Sequence, residues 1–162
     1  MHAYLFCNIL RRKRCKFESN IMSMKMTQCK IGKVGLIDGN IIFVDIDSGS
    51  EIGMKHIYEF HNVAAELVKV QRKLYSIVSY GAYSTPTKAA REFCGKEEVN
   101  NKMLGRAVVV HGLGQFIIAK HMIKQRKSNV PTRIFTDKKK AKEWVTGLRA
   151  KNDNYQMVSN FG

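Results

Sequence analysis

The alternation of apolar and polar residues predicts a β-hairpin near the start of a folded domain. Two strand-like runs, residues 30–37 and 40–47, flank the dipeptide Asp38-Gly39. Asp-Gly between such runs is typical of a tight hairpin turn, because its residues tolerate the left-handed backbone that the turn needs. Further strands are predicted where short apolar runs occur, at residues 74–79, 105–111 and 132–135.

Apolar residues three and four positions apart predict four helices that follow these strands. The first is expected over residues 53–72 and the third over 112–127. Thr85 is expected to cap the second helix, because Pro86 then occupies the first helical position. The last helix should begin after Thr136 or Asp137. The order β-β-α-β-α-β-α-β-α indicates an α/β layered domain with a mixed sheet.

The domain is expected to occupy residues 29–150, between two segments of different character. A chain of 162 residues has room for one domain with a sizeable core. Residues 1–28 hold a short apolar run followed by a cluster of arginine and lysine, which predicts a basic, disordered extension. Residues 151–162 lack periodicity and are predicted to form a loose tail.

Charge and cysteine content narrow the partners and the compartment. Lysine and arginine number 28 against 13 acidic residues, a net charge of +15, which suits an acidic partner, an anionic membrane surface or nucleic acid. No apolar run approaches the 18 residues of a membrane span. The four cysteines show no C-x-x-C pair, so a disulfide framework is not expected and the reducing cytoplasm is favoured.

Several local strings resemble the bacterial STAS-like (SpoIIAA-like) domain family, with a broader similarity to CRAL-TRIO-type folds. They are TKAAREF at 87–93, AVVV at 107–110, VPTRIFTD at 130–137 and EWV at 143–145. The resemblance implies a STAS-like fold and a non-enzymatic regulatory or protein-interaction module with a protein partner.

The same resemblance implies a phosphorylation switch. In the antagonist members of the family, a serine at the start of the helix after the third strand is phosphorylated. The corresponding region here holds Ser84, Thr85 and Thr87, although the antagonists' Asp-Ser-Ser-Gly string is absent. A phosphate at a helix N-terminus is favoured by the dipole and the free N–H groups. The alternative is that Thr85 serves only as the helix cap.

Two further interpretations concern binding. A small-molecule or lipid binder of CRAL-TRIO type needs an apolar pocket, expected between the third helix and the sheet beside His111, Phe116 and Ile117. Electrostatic nucleic-acid binding needs a basic patch, although aromatic residues are not interleaved with the basic ones and a solvated basic face is the alternative. The residues of this predicted patch are Lys120, Lys124, Arg126, Lys127, Arg133, Lys138, Lys139 and Lys140.

Catalytic and metal-binding arrangements are not expected. His56 and His61 are five positions apart, which does not place them on one helix face as metal ligands. Glu97 and Glu98 are adjacent and point to different sides of a helix, so they form no acid–base pair. The sequence therefore predicts no enzyme, no metal site and no cofactor.

Overall fold

A six-stranded mixed sheet forms the centre of the structure, a computed structural model that describes residues 25–68, 73–125 and 129–159. Across the sheet the strands are β1 (Met26–Cys29), β2 (Gly32–Asp38), β3 (Ile41–Ile46), β5 (Leu74–Tyr80), β7 (Met103–Val109) and β8 (Thr132–Phe135). Two short segments, β4 (Glu51–Ile52) and β6 (Thr85–Pro86), pair in parallel as a separate small sheet.

Strand direction divides the sheet into two halves. β1, β2 and β3 are antiparallel neighbours, whereas β3, β5, β7 and β8 are all parallel. The predicted hairpin joins β2 to β3, and its Gly39 has the left-handed φ of 54° that the turn requires. The four parallel strands all end at the same edge of the sheet, which we call the carboxyl edge. The predicted α/β layered domain with a mixed sheet is thereby confirmed.

Helices cover the sheet unequally on its two faces. The described helices are α1 (Met54–Val68), α2 (Lys88–Gly95), α3 (Glu97–Asn100), α4 (Leu113–Gln125) and α5 (Lys138–Ser159). The connections between successive parallel strands all advance in the same direction, and right-handed crossovers then place α1, α2 and α4 on one face. Helix α5 follows the last strand and packs on the opposite face.

Each face has its own apolar core. On the α5 face, Tyr75, Ile77 and Val109 of the sheet are buried against Ala141 and Val145 of the helix. On the other face, residues of β2 and β3 pack against Ile57 and Phe60 of α1 and Ala90 of α2, and Ala119 of α4 packs separately on Val108 and Val110. Strands β3, β5 and β7 are central and covered on both sides, so most of their residues are buried, including the polar Ser76, Ser79 and Arg106.

Two predicted boundaries are corrected by this structure. Residues 26–28 are part of strand β1, because they complete a ladder with β2, so the expected disordered extension does not reach residue 28. Its residues 1–24 lie outside the described residues. At the other end α5 continues to Ser159 in place of the predicted tail, and Asn152 donates a 2.8 Å hydrogen bond to the hydroxyl of Tyr75 beneath it.

The cap of helix α2 is also corrected. Its N-cap is Thr87, whose Oγ1 accepts a 3.2 Å hydrogen bond from the backbone N–H of Ala90. Thr85 and Pro86 instead form β6, because their backbone pairs with Glu51 and Ile52 of β4. The last helix begins after Asp137, which is one of the two residues predicted to cap it. The carboxylate of Asp137 accepts hydrogen bonds from backbone N–H groups in the first turn of the helix.

Candidate functional site

A tight turn at the carboxyl edge of the sheet carries the most unusual backbone of the described residues. It spans residues 81–84, and the N–H of Ser84 donates a 3.1 Å hydrogen bond to the carbonyl of Gly81. Tyr83 occupies its third position with a φ of 62°, and it is the one non-glycine residue of the described ranges with a positive φ. Glycine or asparagine is favoured at such a position, because a side chain strains the left-handed backbone.

The turn is held firmly against the end of strand β3. A Cβ on Gly81 would lie 2.6 Å from the carbonyl oxygen of Ile46, so only glycine fits without a shift of backbone. The N–H of Gly49 also donates a 2.7 Å hydrogen bond to the carbonyl of Ala82. These contacts fix the backbone while the side chain of Tyr83 remains 92% exposed.

Gln115 joins this turn to the first turn of helix α4. Its Nε2 donates hydrogen bonds of 2.7 Å to the carbonyl of Gly81 and 2.9 Å to the carbonyl of Ser84. Its Oε1 accepts a 2.9 Å bond from the backbone N–H of His111. One side chain therefore sets the position of the helix relative to the turn.

Helix α4 presents large apolar side chains to solvent. Leu113, Phe116 and Ile117 are 75%, 38% and 58% exposed, and their spacing of three and four places them on one side of the helix. Together with Tyr83 they make up four of the five exposed large hydrophobic residues among those the structure describes. We call these four residues, Tyr83, Leu113, Phe116 and Ile117, the apolar corner.

A small apolar cavity lies under the opposite side of helix α4. Its volume is about 30 Å³, room for one or two water molecules and far less than an acyl chain occupies. Its lining is mostly apolar and comes from the sheet, the 81–84 turn and the inner side of α4: Tyr80, Ser84, Pro86, Val108, Val110, Gln115, Ile118, Ala119, Met122 and Ile123.

The residues expected to line a ligand pocket lie elsewhere. Phe116 and Ile117 are on the outer side of α4, and His111 is exposed in the turn before that helix. The reason is that α4 is apolar on two sides, and the sheet packs against residues 118, 119 and 122 rather than 116 and 117. Tyr83, Leu113 and Gln115 were not singled out from the sequence, where only the spacing of Leu113, Phe116 and Ile117 signalled a second apolar side.

The three predicted switch residues have very different surroundings. Ser84 is 2% exposed, and its hydroxyl donates a 2.7 Å hydrogen bond to the carbonyl of Gly81. Thr87 caps helix α2. Thr85 is exposed, and in the parallel pairing of β4 with β6 it lies beside Glu51. Phosphorylation at any of them stays a prediction.

The predicted basic patch is divided between the two faces of the sheet. Lys120 and Lys124 are exposed on α4, whereas Lys138, Lys139 and Lys140 begin helix α5 on the other face.

Two basic residues of the predicted patch have contacts within the fold. The ammonium of Lys138 is held by Asp45, with N–O distances of 2.8 and 3.0 Å. Arg133 places its guanidinium 5.5 Å from the ring centre of Phe135. Arg126 and Lys127 lie outside the described residues.

Shifted pKa values occur away from the apolar corner. Burial raises the pKa of the Cys29 thiol, and the Glu59 carboxylate adds to the effect. Partial loss of hydration lowers the pKa of His61, as do the positive charges of Arg106 and Lys102.

Among the described residues no cluster of three His, Cys, Asp or Glu could hold a metal ion. None of the described helices has the length and apolar character to cross a membrane.

The chain is similar to a protein family and to a solved structure. No curated protein matches the chain. The crystal structure of an uncharacterised protein of the DUF3478 family with a SpoIIAA-like fold, from Shewanella loihica PV-4, is similar at 7% identity and a TM-score of 0.49, over 76% of this chain and 92% of that chain. This match carries no information about function. A family model described as a domain of unknown function (DUF7793) matches residues 36–149, and the chain belongs to that family.

Proposed function

We propose that the chain is a protein-interaction module without catalytic activity, which binds its partner through the apolar corner. The main support for this proposal is that Tyr83, an aromatic residue, is 92% exposed and has a left-handed backbone conformation. A non-glycine residue in this conformation costs of order 1–3 kcal/mol, and such strain concentrates at binding sites. Folding gives no reason to keep tyrosine here, whereas an aromatic anchor for a partner does.

The rigid turn suits tyrosine to this role. Gly81 and the Gln115 hydrogen bonds fix the backbone before any partner arrives. A side chain presented on a fixed backbone loses less conformational entropy when it is buried, so more of the contact energy appears as affinity.

The three apolar residues of α4 supply the remaining contact area. Full burial of a leucine, isoleucine or phenylalanine side chain contributes roughly 1.5–3 kcal/mol, and Leu113, Phe116 and Ile117 lie side by side in solvent. Contiguous exposed apolar residues on a folded surface mark interaction sites.

The polar groups of this region support binding rather than catalysis. The hydroxyl of Ser84 and both ends of the Gln115 amide are engaged in hydrogen bonds that hold the turn and the helix together. A nucleophile or a proton carrier needs a group that faces a substrate, and these groups face the backbone instead.

Regulation by phosphorylation is part of the proposal, with Thr85 as its site. Of the three predicted switch residues, Ser84 is buried and Thr87 is engaged as a helix cap, which leaves Thr85 open to a kinase. A phosphate on Thr85 would face the carboxylate of Glu51 across the β4–β6 pair and weaken that pair by repulsion. We expect Thr85→Glu to change partner recovery at least several-fold relative to Thr85→Gln, and equal recovery would contradict the switch.

The experiment that tests the docking proposal is quantitative capture of partners from extracts of cells that produce the chain. The full chain is compared with Phe116→Ser/Ile117→Ser and with the control Tyr58→Ser, since Tyr58 is also exposed but lies on α1. We expect a protein that is enriched by the wild-type chain and by the control, and lost with the double variant. Equal recovery by all three chains would contradict the proposal.

A further inference from the structure

The outer side of helix α4 changes from apolar to basic along its length. Leu113, Phe116 and Ile117 occupy its first half, and Lys120 and Lys124 continue the same side at the next helical positions. From residue 113 to residue 124 this side is about 16 Å long. The result is one straight stripe, apolar at the carboxyl edge of the sheet and positively charged further along.

The charge on this stripe has no counterpart within its own helix. Helix α4 contains no aspartate or glutamate. Lys124, in the last turn, suits the negative end of the helix dipole, but Lys120 lies in the middle of the helix, where the dipole gives no such benefit. Negatively charged groups from outside the helix would complement these two lysines.

The arrangement fits a helix better than it fits a lipid surface. A helix that lies in a membrane interface buries its main apolar side, with basic residues along the polar flanks. Here the inner apolar side of α4 packs on the sheet, and the lysines follow the exposed apolar residues in line. A second helix packed along α4 would meet apolar side chains over one turn and ammonium groups over the next turns.

We propose that the partner docks an amphipathic helix along α4, with apolar residues against Leu113, Phe116 and Ile117 and carboxylates against Lys120 and Lys124. This proposal rests on the proposed function, because it assumes that the apolar corner binds a protein. It adds the chemistry of the bound segment: helical, apolar on one side and acidic beyond the apolar residues.

The test is photo-cross-linking in cells that produce the full chain, with Phe116 replaced by p-benzoylphenylalanine. The cross-linked partner segment is sequenced by mass spectrometry. Yields are compared in this chain, in the same chain with Lys120→Gln/Lys124→Gln, and in the same chain with Lys139→Gln/Lys140→Gln. The last pair is the matched control, since it removes the same charge from exposed lysines of α5.

The expected result is a segment with several carboxylates. Its yield should fall roughly 2- to 30-fold in the Lys120/Lys124 variant, as for the loss of two exposed ion pairs, and stay unchanged in the control. A protein segment without carboxylates, or a yield unaffected by the Lys120/Lys124 change, would overturn the acidic helix and leave the docking surface standing. Cross-links to lipid alone, or to no protein, would overturn both.

Discussion

Helices α5 and α4 lie on opposite faces of one sheet and use their apolar residues differently. In α5 the fully buried Ala141 and Val145 face the sheet, while Lys139 and Glu143 face solvent. In α4 an apolar side meets the sheet and a second apolar side meets solvent. Packing on the sheet accounts for Ala141 and Val145, whereas it does not account for the exposed apolar residues of α4, which is why we propose the outer side of α4 as the binding surface.

The two helices also differ in how firmly they are attached to the sheet, and α5 is the more firmly attached. Helix α5 is tied to the sheet by two ion pairs, Lys138 with Asp45 at its start and Arg149 with Asp38 near its middle. Helix α4 packs over a small cavity, and Gln115 ties its first turn to the loop that carries Tyr83. Local stability follows the number of buried contacts, so α4 is the element expected to open more easily.

Replacement of isoleucine by alanine, once in the core and once on the outer side of α4, should separate residues that serve folding from residues that serve binding most clearly. Ile77→Ala empties part of the α5-face core, where Ile77 is 1% exposed, and we expect a loss of about 2–5 kcal/mol in the free energy of unfolding. Ile117→Ala, on the outer side of α4, should change it by less than about 0.5 kcal/mol. Urea unfolding of both variants measures the difference, and similar losses would mean that Ile117 belongs to a core.

Gly81→Ala should destabilise the chain by about 1–3 kcal/mol, because the new Cβ meets backbone atoms of residues 46–48 that cannot move aside cheaply. Gly112→Ala is the matched control, since nothing lies within 4 Å of its Cβ position. Thermal unfolding compares them. If the two variants unfold at the same temperature, the turn that carries Tyr83 is not packed as described.

The N-cap of helix α2 provides a third pair of variants to compare. Thr87→Ala removes the side-chain cap of α2 and should cost about 1 kcal/mol of unfolding free energy, whereas Thr85→Ala should cost less than about 0.5 kcal/mol. Chemical denaturation of the two variants distinguishes them. The reverse order would restore Thr85 as the cap that the sequence predicts.

Tyr83→Gly should have a small effect on stability, and that effect should be stabilising. Glycine relieves the strain of a φ of 62°, and part of that gain is offset by the greater freedom of glycine in the unfolded chain. We expect a net rise of roughly 0.5–1 kcal/mol in unfolding free energy together with weaker partner capture. A variant that loses stability would show that tyrosine serves the fold at this position.

The sequence predicts five of the six strands of the sheet and the order of the main helices, because each of those strands has a short, apolar run of its own, and it misses β1. It misplaces the start of α2, since Thr85-Pro86 has the local signature of a helix start but pairs with Glu51 and Ile52, which are distant in sequence. A pairing of this kind depends on tertiary structure, and no local pattern reveals it.

The candidate site is harder to predict for a related reason. A helix with apolar residues on two sides does not reveal which side meets the sheet, so Phe116 and Ile117 are as plausible for the interior as Ile118 and Met122. Likewise, nothing in the string around Tyr83 signals a left-handed backbone. Both features become visible only when the turn and the helix are packed together.

Hydrogen exchange of the full chain, alone and with its captured partner, would show which surface the partner covers. We expect slower exchange of backbone amides in the 81–84 turn and along residues 113–124 of α4 when the partner is bound, with α5 unchanged. Protection confined to α5, or no protection of α4, would contradict the claim that the outer side of α4 is the binding surface.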